Sequence, residues 1–410
     1  MVLTAKQEEG LKIALERWRN GEKYTCIAGY AGAGKSTLIK FIIAAMNLYP
    51  ENIRYIAYTG KAANVLKNKG CPGATTAHKL LYRARLMPNG KYKFSPKTRE
   101  EIASEDIKVV VVDEVSMLPK KIWELLCQNN FYILACGDPE QLPPIPDTAG
   151  EDPNNHVLDH PHIFLDEIMR QAQESEIIRL SMHIRENKPI FTFPVKNEQV
   201  MIFDKRDLTN PMLTWADQVL CATKRTRADL NGRIRKTLGF PDAPQPGDRI
   251  INLHNEWEIF SNFGNPLTNG VIGNILADEP PTPIDETYSG FIKDGKSFGS
   301  TFTVPILHLD MSGDEDGEYF SNISIDYNEL LTGNPSFTGE QQYRIMKSKL
   351  STNPLHFNYG YAITVWKAQG SEWGKVLLLS EPGWPRDPDL CRKYLYTGTT
   401  RAIDKLVVVA

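Results

Sequence analysis

Apolar residues gather in short unbroken runs at Tyr24 to Ala28, Lys108 to Asp113 and Phe131 to Cys136, and again at Asp217 to Thr223, Lys375 to Ser380 and Lys405 to Val409. Runs of this length without alternation are what strands buried on both faces look like, and they predict an α/β chain built on parallel sheet. Gln7 to Arg19 and Ser175 to Arg185 instead space their apolar residues as one face of a helix, and Leu38 to Met46 reads as a further, largely apolar helix. The pattern changes from about Gln245 to Phe337, where glycine, proline and asparagine become dense and short alternating runs appear at Arg249 to His254, Gly270 to Ala277 and Thr303 to Asp310. That stretch predicts a small all-β insertion. Inside the gap from Leu81 to Asp106, an Asn89-Gly90 turn followed by alternating aromatics in Met87 to Phe94 signals a β-hairpin. The expected layout is a first core over residues 1–172 with the hairpin at about 82–106, a second core over 173–244 and 346–410, and the β insertion at 245–345.

What sits at the ends of the apolar runs carries the chemistry. Gly29 to Thr37 reads G-Y-A-G-A-G-K-S-T, between a predicted strand and a predicted helix. Gly29, Gly32 and Gly34 let the backbone turn tightly and, with Ala33 between them, the loop aims N–H groups at a polyphosphate, with a helix N-terminus adding positive charge. Lys35 supplies a point charge to the outer phosphates, Ser36 a hydroxyl for Mg²⁺, and Thr37 completes the cradle. The run that ends at Asp113 is followed by Glu114, and strand ends of an open parallel sheet face the ligand crevice. One acid suffices to hold Mg²⁺ together with Ser36. The second is what hydrolysis needs, a base that orients and deprotonates water for in-line attack on a γ-phosphate. The next strand delivers Gly137-Asp138-Pro139-Glu140-Gln141-Leu142-Pro143-Pro144, where Gln141 is placed to bond the γ-phosphate or its water and the prolines stiffen the exit.

In this order along the chain the motifs resemble superfamily 1 helicases of class B, nearest the RecD, Dda and Pif-type group, over nearly the whole sequence. Thr4-Ala5-Lys6-Gln7 is similar to the element that reads adenine, with Gln7 as its key residue. Tyr58 to Ala63 and Ala74 to His78 resemble the segments that touch single-stranded DNA, through Thr59, Lys61 and His78. Leu165 to Gln171 resembles the segment whose arginine, here Arg170, reaches the γ-phosphate. Tyr361 to Glu372 and Tyr396 to Ala402 resemble the last two motifs. They imply nucleotide contacts at Gly370 and Glu372, DNA contacts at Thr364, Trp366 and Lys367, and an arginine finger at Arg401. An arginine on the opposing core stabilises charge on the transferred phosphoryl only when the cleft closes, which couples chemistry to motion.

The resemblance implies two RecA-like P-loop NTPase cores, the hairpin as a duplex-splitting pin with Phe94 at its apolar tip or flank, and an SH3-like barrel in the second core. It also implies ATP and Mg²⁺ as cofactors, single-stranded DNA and single-strand/duplex junctions as partners, a monomer, and movement from 5′ to 3′. Replication or recombination proteins are the further partners it suggests. A rival output of the same engine is a translocase that displaces proteins or acts on RNA without unwinding. A metabolic kinase or a GTPase is disfavoured by the paired Asp113 and Glu114, by Gln141, and by the lack of an N-K-x-D string.

Two residues depart from the family pattern. Trp366 stands where histidine is usual, and its indole either stacks on a base or packs as core. Gly398-Thr399 replaces a usual alanine and leucine, which is expected to loosen the segment that carries Arg401.

Composition refines this little. The net charge of −3 does not advertise a nucleic-acid binder, although a translocating motor needs only a local cationic groove. The 6 cysteines include no C-x-x-C pair and read as reduced thiols of a cytoplasmic protein, and the resemblance to the Dda group implies a bacterial or phage-infected cell. No apolar run is long enough to cross a membrane. His156, His160 and His162 lie near Asp159 without ligand spacing, and Asp314 to Glu318 fails the calcium-loop pattern at both ends, so it reads as a solvated acidic turn.

Overall fold

The computed structural model describes residues 3–86, 92–145, 152–167, 174–288, 291–293, 296–298, 300–313, 316–347, 353–381 and 387–410. The chain divides into two compact units, one of residues 1–82, 96–222 and 364–410, the other of 83–95 and 223–363.

The first unit holds two parallel sheets. In the first sheet the strands lie in the order Thr75–Thr76, Ile53–Ala57, Val109–Val112, Tyr132–Gly137, Tyr24–Gly29, Ile163–Leu165, and every pairing is parallel. Its apolar runs are unbroken because both faces are covered. Cys26, Val110, Val112, Ile133 and Ala135 pack into one buried cluster, while Ile27, Val109, Val111, Tyr132, Leu134 and Cys136 pack into another on the opposite face. The second sheet sets Gln218–Cys221, Trp373–Leu379, Ala402–Val409 and Val200–Phe203 side by side, all parallel. The α/β class with two P-loop-type cores is thus the observed fold of this unit. Ile53–Ala57 escapes the apolar pattern because Arg54 and Tyr55 are only half-buried, and Val200–Phe203 because it is an edge strand buried only at Val200.

Helices start where side chains satisfy the first free N–H groups. Thr4 and Gln7 form a reciprocal capping box on the helix Ala5–Arg19, and Ser175 caps Glu176–Arg185. The 6 cysteines are all free thiols.

The second unit is mostly β. Its main sheet runs Ile284–Tyr288, Phe302–Ser312, Ile272–Leu276, Arg249–Asn252, Phe357–Tyr359, with Tyr319–Asp326 also paired to Phe302–Ser312. Phe357–Tyr359 pairs antiparallel with Arg249–Asn252, so the insertion sheet takes in residues beyond 345, where the sequence pattern had returned to the second core. Three residues were too short a run to signal that return strand. Buried Arg235 and Asp248 form a forked ion pair at 2.9 Å on each arm. Tyr361 Oη and the Gln245 N–H also bond that carboxylate, at 2.9 and 2.8 Å, so its buried charge is fully satisfied. Glu318 corrects the expectation of a solvated acidic turn. It is buried, and its Oε1 accepts from Ser261 Oγ at 2.7 Å and Asn265 Nδ2 at 3.0 Å. Asp314 and Glu315 lie outside the described residues. The hairpin strands Tyr82–Leu86 and Tyr92–Pro96 pair with each other, while the Asn89-Gly90 turn lies outside the described residues.

Candidate nucleotide site

The strand Tyr24–Gly29 runs straight into the loop and the helix Lys35–Met46. Gly32 and Gly34 have φ of 76° and 77°, a left-handed backbone that a side chain disfavours. A Cβ on Gly29 would stand 2.8 Å from the Leu165 carbonyl oxygen, so only glycine fits there. Ala33 is buried under the loop, while Ser36 is exposed at the first turn of the helix and Thr37 is half-buried. Lys35 Nζ donates to the carbonyls of Gly29 at 2.8 Å and Tyr30 at 3.0 Å, which folds the side chain back across the loop. Gln7 is buried and ties the N-terminal helix to this loop. Its Oε1 accepts from the Thr4 N–H at 3.0 Å and its Nε2 donates to the Gly34 carbonyl at 3.2 Å.

Asp113 and Glu114 follow the strand Val109–Val112. Asp113 Oδ1 accepts from the Glu114 N–H at 3.1 Å. Burial and then the neighbouring Glu114 carboxylate push the Asp113 carboxyl above its usual range, partly offset by that N–H and by Lys35. A divalent cation would relieve that excess of negative charge, so the oxygen donors of Asp113 and Ser36 suit Mg²⁺ chemistry. Glu114 has a φ of 51°, an uncommon conformation for a non-glycine residue and one that concentrates at functional sites.

The segment Gly137–Pro144 is where the two sheets of this unit meet. Asp138 is fully buried, accepts from Tyr396 Oη at 2.7 Å and from the Glu140 N–H at 3.0 Å, and burial raises its carboxyl. Tyr396 Oη also accepts from the Ala31 N–H in the phosphate loop at 3.1 Å. Leu142 donates its N–H to Thr397 Oγ1 at 2.9 Å and accepts from Gln369 Nε2 at 3.0 Å. Glu140 pairs with Arg392. Gln141 is buried, and its Oε1 has no hydrogen-bond partner among the described residues.

Arg401 is 4% exposed, with Nε donating to the Thr397 carbonyl at 3.1 Å, Nη1 to the Ser371 carbonyl at 3.3 Å and Nη2 to Thr400 Oγ1 at 3.1 Å. Its guanidinium therefore closes the end of the preceding helix Pro388–Thr399 in this structure and must release those acceptors to reach a phosphate. Arg170 lies outside the described residues. Arg185, which the motif reading missed, stacks its guanidinium 3.7 Å from the centroid of the Tyr30 ring. Only its position at the end of a predicted amphipathic helix could have hinted at it. Tyr396 and Asp138 were inside motifs already recognised, but nothing in their spacing showed that they touch.

Gly398 corrects the expectation of a loosened segment. It lies in the helix Pro388–Thr399, and an added Cβ would stand 2.6 Å from Leu378 Cδ1. The glycine is there for close packing. Gly370 is similar, with a φ of 77° and room for a Cβ only 2.9 Å from that of Ala62. Glu372 is exposed nearby.

Of the residues read as DNA contacts, Thr59 caps the helix Gly60–Asn68, and buried Lys61 lies 5.5 Å from the Trp373 ring. His78 sits between the rings of Tyr58 and Tyr82, 5.6 Å from each. Thr364 opens the short helix Val365–Ala368, which contains Trp366 and Lys367, both half-buried. Trp366 Nε1 donates to the Pro143 carbonyl at 3.4 Å, and its ring lies 6.5 Å from that of Tyr394. The indole touches protein through these contacts and stays half-buried. Phe94 on the hairpin is 50% exposed. His156 bonds Asp159 and Asp152 at 2.7 Å each, and no cluster of potential metal ligands occurs among the described residues.

Comparisons with known proteins agree with this geometry. Residues 3–205 match an AAA domain family and residues 359–409 a UvrD-like helicase C-terminal domain. The chain is 28% identical to the ATP-dependent DNA helicase dda of Enterobacteria phage T4, over 97% of each. It is 25% identical to the ATP-dependent RecD2 DNA helicase of Deinococcus radiodurans, over 94% of this chain and 46% of that protein, so it spans about half of that relative's length. Among solved structures, a Bacteroides Pif1 helicase in complex with ADP-AlF3 and single-stranded DNA superposes over 100% of this chain and 93% of its own, with a TM-score of 0.52 at 16% identity. A Candida albicans Pif1 helicase superposes with a TM-score of 0.51 at 18% identity, covering 100% of this chain and 94% of its own. These structural likenesses speak to the fold. Among the described residues no helix is long and apolar enough to cross a membrane.

Proposed function

The chain belongs to the RecD-, Dda- and Pif-like group of superfamily 1 helicases, and from that premise we propose an ATP-driven motor that moves 5′ to 3′ along single-stranded DNA and separates the duplex ahead of it. One observation supports this above the others. In the segment Gly137–Pro144, next to the phosphate loop, Asp138, Leu142 and Pro143 are bonded to Trp366, Gln369, Tyr396 and Thr397, on and beside the helices that accompany the second sheet. Hydrolysis in one sheet's loops thus has a path to the other, which a kinase or a passive binder does not need.

In this reading the loop N–H groups and Lys35 bind the phosphates, which draws the ammonium off the carbonyls of Gly29 and Tyr30. Ser36 and Asp113 would hold Mg²⁺, whose charge would offset that of the phosphates. Glu114 takes the proton of the attacking water and the orphan oxygen of Gln141 orients that water. Arg401, with Arg170, stabilises the transferred phosphoryl on closure. Gln7 holds the base side of the site, while Gly370 and Glu372 border it. Thr59, Lys61, His78, Thr364 and Lys367 bear on the DNA backbone, where contacts carry no sequence information. Phe94 on the hairpin meets the duplex junction.

Single-turnover unwinding of duplexes that differ only in a 5′ or a 3′ single-stranded tail tests this, with Lys35→Ala as the blank. Opening of the 5′-tailed duplex alone is expected. Opening of the 3′-tailed one alone would reverse the polarity, and opening of neither, with hydrolysis still stimulated by single strands, would leave a translocase.

A further inference from the structure

Tyr396 joins three elements around the candidate nucleotide site through one hydroxyl. It is 1% exposed, lies in the helix Pro388–Thr399, donates to Asp138 Oδ2 at 2.7 Å and accepts from the Ala31 N–H at 3.1 Å. Asp138 belongs to the segment that follows the strand Tyr132–Gly137, and Ala31 to the phosphate loop. The same helix ends at Thr399, two residues before Arg401, whose guanidinium is fixed to the Thr397 and Ser371 carbonyls. One oxygen therefore joins the loop that receives phosphate, the strand-end segment beside it, and the helix that leads into the candidate finger.

Neither partner is interchangeable with water. Asp138 is fully buried, with Tyr396 Oη and the Glu140 N–H as its donors. Ala31 offers a backbone donor in a loop built to bring N–H groups to an anion. A shift of the loop on phosphate binding must alter its bond to Tyr396 Oη, and because that oxygen is anchored on Asp138 the shift is felt by the helix. We infer that Tyr396 is a positioning residue, a hydroxyl latch that makes the placement of the helix leading into Arg401 depend on the state of the phosphate loop. This rests on the motor reading above and adds to it the atom through which the two sheets communicate.

Tyr394 provides an internal control. It lies on the same helix and is equally buried, but its hydroxyl donates at 2.6 Å to the Leu379 carbonyl, within the second sheet. Tyr394→Phe and Tyr396→Phe each remove one buried hydroxyl and leave the ring in place. Both are expected to lower Tm by a similar small amount. Tyr396→Phe alone should lower kcat of ATP hydrolysis stimulated by oligo-dT by about tenfold, the size of one hydrogen bond to a charged group, with KM for ATP within about twofold of wild type. Asp138→Asn should give the same split, and the double variant should be no worse than Asp138→Asn alone, because both act on one link. The inference is overturned if Tyr396→Phe keeps kcat within twofold of wild type, if it falls no further than Tyr394→Phe, or if the two losses add. If Tyr396→Phe does not fold, the kcat and KM of Asp138→Asn decide alone. Failure of the parent reading looks different. A wild-type protein that hydrolyses ATP without any response to oligo-dT sinks the motor, and the latch is then judged on unstimulated kcat. A wild type without hydrolysis sinks both.

Discussion

Replacing Gly398 with alanine tests how the helix that carries Tyr396 and leads into Arg401 is seated. The new Cβ would stand 2.6 Å from Leu378 Cδ1, 2.9 Å from Cδ2 and 3.3 Å from Cγ. Carbon pairs are most favourable at about 3.5–4.0 Å, so the helix or the leucine must give by roughly 1 Å. Leu378 cannot swing aside. It is fully buried in the strand Trp373–Leu379, registered between Leu220 and Val408. Overpacking of this kind costs about 1–3 kcal/mol, while alanine gains at most about 1 kcal/mol over glycine in a helix. The gain is smaller here because residue 398 is in the last turn. The expected net is a loss of about 1–2 kcal/mol, read as a lower midpoint in urea. Leu378→Val should cost about 1 kcal/mol alone. Combined with Gly398→Ala it should be less destabilising than the sum by about 1 kcal/mol, since the freed volume takes the added methyl. DNA-stimulated turnover of Gly398→Ala should fall as well, because the helix that shifts is the one holding Tyr396 against Asp138. Equal or greater stability of Gly398→Ala, or strictly additive single costs, would refute the close-packing account and restore the view of a loosened segment.

Arg401→Ala should leave the KM for ATP near normal and cut turnover by about a thousandfold, and a parallel series with Arg170→Ala and Arg185→Ala would show which guanidinium serves the phosphate if Arg401 does not. Phe94→Ala should impair strand separation more than ATP hydrolysis on single strands; equal loss in both assays would remove the pin role. Burial raises the Glu256 carboxyl to about 7 from its ordinary 4.5, so between those values the folded state binds more protons than the unfolded one and stability falls as pH rises. Thermal unfolding from pH 4.5 to 8 should show that decline in the wild type and a flatter profile in Glu256→Gln; identical profiles would place the titration elsewhere.

How much of this was readable beforehand follows from what each feature depends on. The phosphate loop was legible because its glycines answer a local demand. Gly32 and Gly34 adopt left-handed backbone, and Gly29 has no room for a Cβ. The acids Asp113 and Glu114 were legible because strand ends in a parallel sheet are ligand positions whatever the rest of the chain does. Long buried strands announced themselves by covered faces, whereas Phe357–Tyr359 did not, since a run of 3 residues carries no period. Gly398 misled because its conformational freedom was visible in the sequence while its neighbour was not. Leu378 is 20 residues away along the chain, and only the packed sheet brings the two together.

The coupling between the sheets was out of reach for a more general reason. Of the bonds that join Gly137–Pro144 to the second sheet, those at Leu142 use its main-chain N–H and carbonyl, and the one at Pro143 uses its carbonyl. Every residue offers a carbonyl, so sequence can mark the side chains that reach, Thr397, Gln369 and Trp366, but not what they reach for. The same holds at Arg401, whose acceptors include the carbonyls of Thr397 and Ser371. In the proposed role of a finger, Arg401 parked on main-chain carbonyls has no carboxylate partner among the described residues to leave behind. Drawing it toward a phosphate exposes neutral acceptors rather than an orphaned buried charge, a smaller cost by the difference between a neutral and a charged group left unpaired. A device that must switch with every turnover is better served by that smaller cost, and it is the choice of acceptor, rather than the arginine itself, that makes the movement affordable.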